Sequence, residues 1–419
     1  QAGMQTCCSW WTCTLCGGDA KVPTTTKKPV KTTTTAVSDA ECAAALALNP
    51  SLVGVTTVSS SNRLDSPRDA ALSNEGQYIY VTGFESDSLA VFESVNSKTS
   101  NHKGSSALDP SFVGKFQDST VAEGALGVTT CGEDGSLVCI TGYSSDSVVV
   151  IDAATDPSSP QVVGSLLFDD DEYWSTVLNG PVGIDSSLDG QYVYAVGKLS
   201  NSLVVVDVAT DPTQPTAVGS IRDDSVLASP WDVQISPSGD YAIVAGGSNL
   251  LTVVNVGADP TNPRVVGKAR DCGSGQAVSV AVSPDGQYAY ILDYVNDLLQ
   301  VVDYGTDPED PRCVNSVSTL KSGDSSGGPY DVMLSPDGNY AFVSNHEVDE
   351  IAIFDIAEDP TTPQCVSRLD VSGSADSSST TGSVAPRAMV TSTDGTTVYV
   401  TGMSANSLMV LMAADEACQ

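Results

Sequence analysis

Histidine occurs only twice in this chain of 419 residues, at His102 and His346. A histidine cluster, the commonest route to a metal centre or a proton relay near neutral pH, is therefore excluded. Basic residues are also few, 18 against 52 acidic ones, and a net charge of −34 sets the surface against nucleic acid phosphates and anionic lipid headgroups. No run of 18 apolar residues is present to span a bilayer. N-linked glycan acceptors are missing as well, since Asn49 is followed by Pro50. Carboxylates are plentiful, yet no D-x-D-x-D-G calcium loop occurs. The run Asp169, Asp170, Asp171, Glu172 and the pair Asp223, Asp224 are expected to be solvated loops, with no metal and no cofactor.

What is present begins with cysteine. Eleven occur, four of them in CCSWWTCTLC at residues 7–16. Cys13-x-x-Cys16 lacks the second C-x-x-C that a zinc site needs, so Cys7, Cys8, Cys13 and Cys16 are expected to form disulfides, with Trp10 and Trp11 buried beside them or against a neighbour. An oxidising compartment follows. Because the chain opens on Gln1, it is expected to be a processed, extracellular protein. Cys131 and Cys139 flank one turn and are a candidate local bridge, while a Cys42–Cys418 bridge would lock the two ends of the main domain together. Cys272, Cys313 and Cys365 are not assigned, though the last two fall at equivalent positions of successive repeats, and the odd total leaves one thiol unpaired or bonded to another chain.

Internal repetition decides the fold. SPDGQYAYIL at Ser283 recurs as SPDGNYAFVS at Ser335, SPSGDYAIVA at Ser236, SLDGQYVYAV at Ser187, SNEGQYIYVT at Ser73, GEDGSLVCIT at Gly132 and STDGTTVYVT at Ser392. The seven turn glycines, Gly76, Gly135, Gly190, Gly239, Gly286, Gly338 and Gly395, are spaced 47 to 59 residues apart. That is the length of a four-stranded propeller blade. Each unit predicts a strand, a tight turn, a second strand, a β-branched third strand such as LVVVDV from Leu203, and a fourth strand entered through Asp-Pro at Asp109, Asp156, Asp211, Asp259, Asp307 or Asp359. No fourth strand follows the last unit. NPSLVGVTTV at residues 49–58 matches DPSFVGKFQD at residues 109–118, so this early strand is expected to complete the last blade and close the ring. These phrases resemble the LVIVD and YVTN-type repeats of seven-bladed β-propellers over about residues 50–419. The resemblance implies an all-β fold and no single chemistry, because such propellers serve in binding, adhesion and surface proteins.

Ahead of the ring, residues 38–49 predict a short helix with a Ser38–Glu41 capping box. Residues 1–37 form an arm containing TTTKKPVKTTTT, which has too little apolar content for a core of its own. Its composition suits O-glycosylation at Thr24, Thr25, Thr26, Thr32, Thr33, Thr34 and Thr35. Fully extended, it would reach roughly 120 Å at about 3.3 Å per residue. Lys21, Lys27, Lys28 and Lys31 supply a positive counterpart to an acidic neighbouring propeller.

Three functional readings follow. The leading expectation is an extracellular structural protein, a homopolymer in which each arm docks on the next propeller to build a fibre or surface layer. The alternative is a monomeric binding module for glycans or protein at the channel mouth, where Arg68, Pro181, Trp231, Tyr330 and Arg387 are expected just before the innermost strands. An enzyme, such as a propeller lyase or lactonase, is not expected and no catalytic residue is assigned: GDSSGG at Gly323 resembles the GDSGG phrase of trypsin-like proteases, but an extra serine breaks the spacing, leaving Ser325 and Ser326 in a loop. His346 is expected in a surface turn.

Overall fold

The computed structural model describes residues 7–9, 12–14, 44, 46, 50–57, 64–95, 109–168, 177–247, 250–269, 272, 273, 275–372 and 383–413. The chain divides into two units, Gln1–Ala36 and Val37–Gln419. Within the first, Cys7–Ser9 and Thr12–Thr14 pair as a short antiparallel hairpin. The rest of the arm, including Trp10, Trp11, Cys16, its four lysines and the threonines at 24–26 and 32–35, lies outside the described residues, as do Cys42 and Cys418. Ala44 and Leu46 are helical.

The second unit is a ring of seven four-stranded antiparallel sheets. Their innermost strands are Pro67–Leu72, Ala125–Cys131, Pro181–Ser186, Pro230–Ile235, Ala277–Val282, Pro329–Leu334 and Pro386–Thr391, here blades 1 to 7. Each innermost strand lies beside the next, and the seventh lies beside the first. The strand Pro50–Thr57 pairs antiparallel with Ser407–Ala413, from Pro50 opposite Ala413 to Thr57 opposite Ser407, and so supplies the outer strand of blade 7. The chain's early segment closes the ring, leaving no unpaired strand within that blade's edge.

The repeated turn phrase works through its side chains. In blade 5, Ser283 Oγ accepts from the Tyr288 amide at 2.8 Å and donates to Asp285 Oδ1 at 2.6 Å, which accepts from the Gln287 amide at 2.9 Å. Gly286 completes the reversal at φ +70°, a conformation that costs a residue with a Cβ about 1 kcal/mol. The same serine and aspartate staple recurs at Ser187 with Asp189 and at Ser335 with Asp337.

Third strands are sandwiched between blades, which is why they are continuous apolar runs. Ser202–Asp207 is buried at every residue but the last. Its Val204 and Val206 pack with Val148 and Val150 of the preceding blade, and each such side chain contributes about 1.5–3 kcal/mol on burial. Blades are also clasped at their ends. Asp87, Asp146, Asn201, Asp297, Asp349 and Asn406 adopt positive φ, and their side chains accept the amides of Gly124, Gly180, Ser229, Gly327 with Gly328, Val384 with Ala385, and Ser66. Aspartate and asparagine tolerate this left-handed conformation better than other residues with a Cβ. At the outer rim a Cβ on Gly164 would meet the Pro212 carbonyl at 2.3 Å, so the outer strand admits the next blade's Asp-Pro turn only without a side chain. Blade 5 has Asn315 there instead, and its amide reaches the next turn's Thr361 carbonyl at 2.8 Å.

One detail departs from the sequence reading. In five blades Asp-Pro begins the turn and a second proline ends it, whereas Asp109-Pro110 leads directly into the strand Ser111–Gln117. Pro110 therefore corresponds to the second proline, such as Pro160.

Two disulfides join described cysteines: Cys131–Cys139 between the first two strands of blade 2, and Cys272–Cys313 within blade 5. They suit an oxidising environment. Cys365, the counterpart of Cys313 one blade on, is a free, exposed thiol. No helix among the described residues is long and apolar enough to cross a membrane.

Candidate functional site

Every blade brings two residues to one end of the channel. The first comes from the second residue of the innermost strand: Arg68, Leu126, Val182, Trp231, Val278, Tyr330 and Arg387 in blade order. Pro181 therefore opens its strand, and Val182 occupies the position equivalent to the other four candidates. The second comes from the residue just after the second strand: Phe84, Tyr143, Lys198, Gly247, Tyr294, His346 and Met403. In all seven blades the amide of this residue donates to the carbonyl just before the innermost strand, from Phe84 to Ser66 at 3.2 Å through Met403 to Ala385 at 3.1 Å. One backbone hydrogen bond thus fixes both tiers together.

The rings and cations from these tiers interlock. Arg387 lies over the Tyr330 ring at 3.6 Å, Lys198 over Trp231 at 3.5 Å, and Arg68 over Phe84 at 4.7 Å. Trp231 meets Tyr330 edge to face at 6.5 Å, and His346 sits 6.0 Å from Tyr330 on another side. His346, expected in a surface turn, is half-buried at the mouth because that turn's first residue points toward the channel. Phe84, Tyr143, Lys198, Tyr294 and Met403 were not singled out from sequence. Their signal was present, since each occupies the same place in its repeat, directly after the second strand.

Arg387 is only 6% exposed. Its Nη1 approaches Met403 Sδ at 3.1 Å, its Nε has no hydrogen-bond partner, and no carboxylate among the described residues pairs with it. Burial pulls its pKa down to about 9. Buried and unpaired, the guanidinium is held at a cost of several kcal/mol. Arg68 Nε, Trp231 Nε1 and His346 Nδ1 are likewise buried and unpartnered. Two nearby carboxylates are engaged elsewhere, Glu347 accepting from Ser326 Oγ at 2.6 Å and Tyr294 Oη at 3.0 Å and Asp349 holding backbone amides, while the charge of Glu85 acts on Arg68. The Ser326 hydroxyl is thereby committed to Glu347. Backbone strain gathers at the same place: Ser66, Ser229 and Ala385, each two residues ahead of Arg68, Trp231 or Arg387, have φ of 57°, 47° and 54°.

Below the mouth the channel turns acidic. Asp69, Asp232 and Asp331 are third in their strands, and Asp185 lies deeper. Each bridges two blades, accepting from an innermost-strand amide of a later blade: Val128, Val280, Met389 and Ile235 respectively, at 2.7–2.9 Å. They keep some surface open to a cavity of about 340 Å³, yet protein surrounds them. Burial raises their pKa values, to about 7 for Asp69, about 8 for Asp232 and about 6 for Asp185 and Asp331, against the pull of those amides. Among the described residues no group of three histidine, cysteine, aspartate or glutamate side chains is placed to hold a metal ion. Asp169 to Glu172 lie outside the described residues, and Asp223 and Asp224 are loop residues, the former accepting from Ser225.

A family model described as lactonase, 7-bladed beta-propeller, matches residues 279–417, and the LVIVD repeat matches residues 185–223 and 230–271. No curated protein matches the chain. Among solved structures, Kuenenia stuttgartiensis hydrazine synthase superposes with a TM-score of 0.62 at 17% identity, covering 86% of this chain and 98% of that one. The Cps50 (Swd1) β-propeller domain of Myceliophteria thermophila gives 0.61 at 9% identity, covering 87% and 99%. A functionally unknown protein from Desulfotomaculum acetoxidans gives 0.57 at 15% identity, covering 80% and 92%. At these identities the likeness concerns the fold alone.

Proposed function

We propose that this chain, a seven-bladed β-propeller with LVIVD repeats, is a binding module whose channel mouth takes an anionic ligand. The observation that carries the reading is Arg387: a cation buried without a carboxylate, in a protein of net charge −34. So acidic a chain has carboxylates to spare for pairing, and an unpaired arginine at a pre-formed opening is suited to a charge brought by a ligand. Trp231 and Tyr330 line the same cavity beside it. On an array of acidic and neutral glycans, the protein is expected to retain acidic members, and Trp231→Ala or Arg387→Ala to abolish retention. Unchanged retention in both variants would remove the site. Binding without turnover is part of this reading, and the lactonase-type match provides its sharpest challenge. Hydrolysis of gluconolactone above the spontaneous rate would make the mouth an active site.

A second reading concerns the arm. A unit of its own at Gln1–Ala36, with lysines opposed to the charge of the remainder, supports docking on a neighbouring copy and a secreted, fibre-forming or layer-forming role. Deleting residues 1–37 is then expected to leave a folded monomer, and assembly by the truncated chain would refute it.

A further inference from the structure

From the buried polar atoms left unpartnered at the mouth we infer the ligand's chemical class: a hydroxylated monocarboxylate of monosaccharide size, a hexuronate such as the end residue of an acidic polysaccharide. The inference rests on the reading of the mouth as a binding site and narrows it.

Three neighbouring groups define the shape of what is missing. Arg387 has one face against Tyr330 and Nη1 toward Met403. The edge formed by Nε and Nη2 is left, with Nε unpartnered. Two parallel N–H donors on a planar edge match the two oxygens of a carboxylate. His346 shares the Tyr330 ring as its neighbour, and burial lowers its pKa, so the ring is neutral at pH 7. The Ala385 carbonyl also interacts with this imidazole. Unpartnered Nδ1 calls for a hydroxyl, which can donate to it or accept from it. Trp231 Nε1–H, also unpartnered, calls for an oxygen acceptor.

Arg387, His346 and Trp231 line one cavity of about 240 Å³ with Gln276, Val278 and Tyr294. The demand is therefore for a carboxylate, a hydroxyl and an accepting oxygen on one small, ring-sized body. A phosphate or sulfate dianion fits worse. It offers a second charge to a space whose next lining residues are Asp69, Asp232 and Asp331, and it brings no apolar surface to Val278 and the aromatic rings.

Isothermal titration calorimetry of the full chain tests this with galacturonate, glucuronate and mannuronate, and with galactose and inorganic phosphate as separate arms. At least one hexuronate is expected to bind about tenfold or more tighter than either galactose or phosphate, as a charge-assisted carboxylate pair allows. Arg387→Gln and Arg387→Lys are both expected to lose about tenfold, the lysine because it keeps the charge but not the two-donor edge. His346→Phe is expected to lose a few-fold. Thermal melts of each variant show that the fold is kept. Equal binding of galactose, or hexuronate binding indifferent to both Arg387 variants, would overturn the inference. Arg387-dependent binding of phosphate in preference to every hexuronate would overturn it too, while leaving an anionic mouth. No binding of any anion would overturn both readings.

Discussion

The clasps between blades and the mouth of the channel lie only a few residues apart in each repeat, yet they follow opposite rules. At the six clasps among the described residues the device is the same, an aspartate or asparagine at positive φ holding the next blade's amides. Polar groups there are satisfied. At the mouth the equivalent position holds arginine, leucine, valine, tryptophan, valine, tyrosine and arginine, and several polar atoms have no partner. A repeat keeps what closes the ring and varies what lines the channel mouth. Satisfied polar groups stabilise, whereas open ones are held at a cost to stability.

That contrast breaks down if substitutions at the two places have similar effects. The largest expected effect is at a clasp. Asp349→Ala leaves the buried amides of Val384 and Ala385 without their shared acceptor, and should lower the urea-unfolding free energy by about 3 kcal/mol. A loss under about 1 kcal/mol would mean that water or a neighbour takes over.

Next is the pH dependence of the channel carboxylates. Their folded pKa values, from about 6 to about 8, exceed the unfolded value. The folded chain thus binds their protons more tightly than the unfolded one, and their burial is harmless below about pH 4. The penalty grows as pH rises through the folded values. Stability should fall steadily from pH 5 to pH 8. Surface aspartates such as Asp189 and Asp223, whose pKa values hydroxyl donors lower, act in the opposite direction and lose their contribution as pH drops below about 4. Melting followed from pH 3 to pH 8 should peak near pH 4, and a stability rising up to pH 8 would show the channel aspartates to be charged at no cost.

Arg387→Met provides the complementary test at the mouth. It removes an unpaired buried charge and keeps the packing on Tyr330, so it should raise stability by about 1 kcal/mol while destroying anion binding. Destabilisation would instead reveal a partner for the guanidinium. The smallest effect belongs to Ala385→Gly, which relieves a φ of 54° and should add about 0.5 kcal/mol without changing binding.

The fold was legible because its signals are local and repeated. Ser-x-Asp-Gly turns, β-branched third strands and the displaced match at residues 49–58 each carry their meaning within a few residues. Arg68, Trp231, Tyr330 and Arg387 could be picked out as departures from apolar residues at one repeat position. Their partners Lys198, His346 and Met403 were not, because a turn's first residue reads as solvent-facing until the ring brings seven such turns around one axis. The channel aspartates were missed for a related reason. Asp69, Asp232 and Asp331 look like ordinary polar residues in half-exposed strands, and only closure of the ring surrounds them with protein. The bonded pair Cys272–Cys313 was out of reach, since 41 residues separate them and nothing in the spacing favours that pairing over one with Cys365.

The central claim is that the Arg387 edge awaits a ligand's carboxylate. Nitrogen-15 NMR of the arginine Nε–H groups reads this directly, with the Arg387 signal assigned by its loss in Arg387→Gln. Adding the hexuronate that calorimetry selects should shift that signal and slow its exchange with water, while the Val280 amide held by Asp232 stays in place. An Arg387 signal unmoved at saturating ligand would contradict the account.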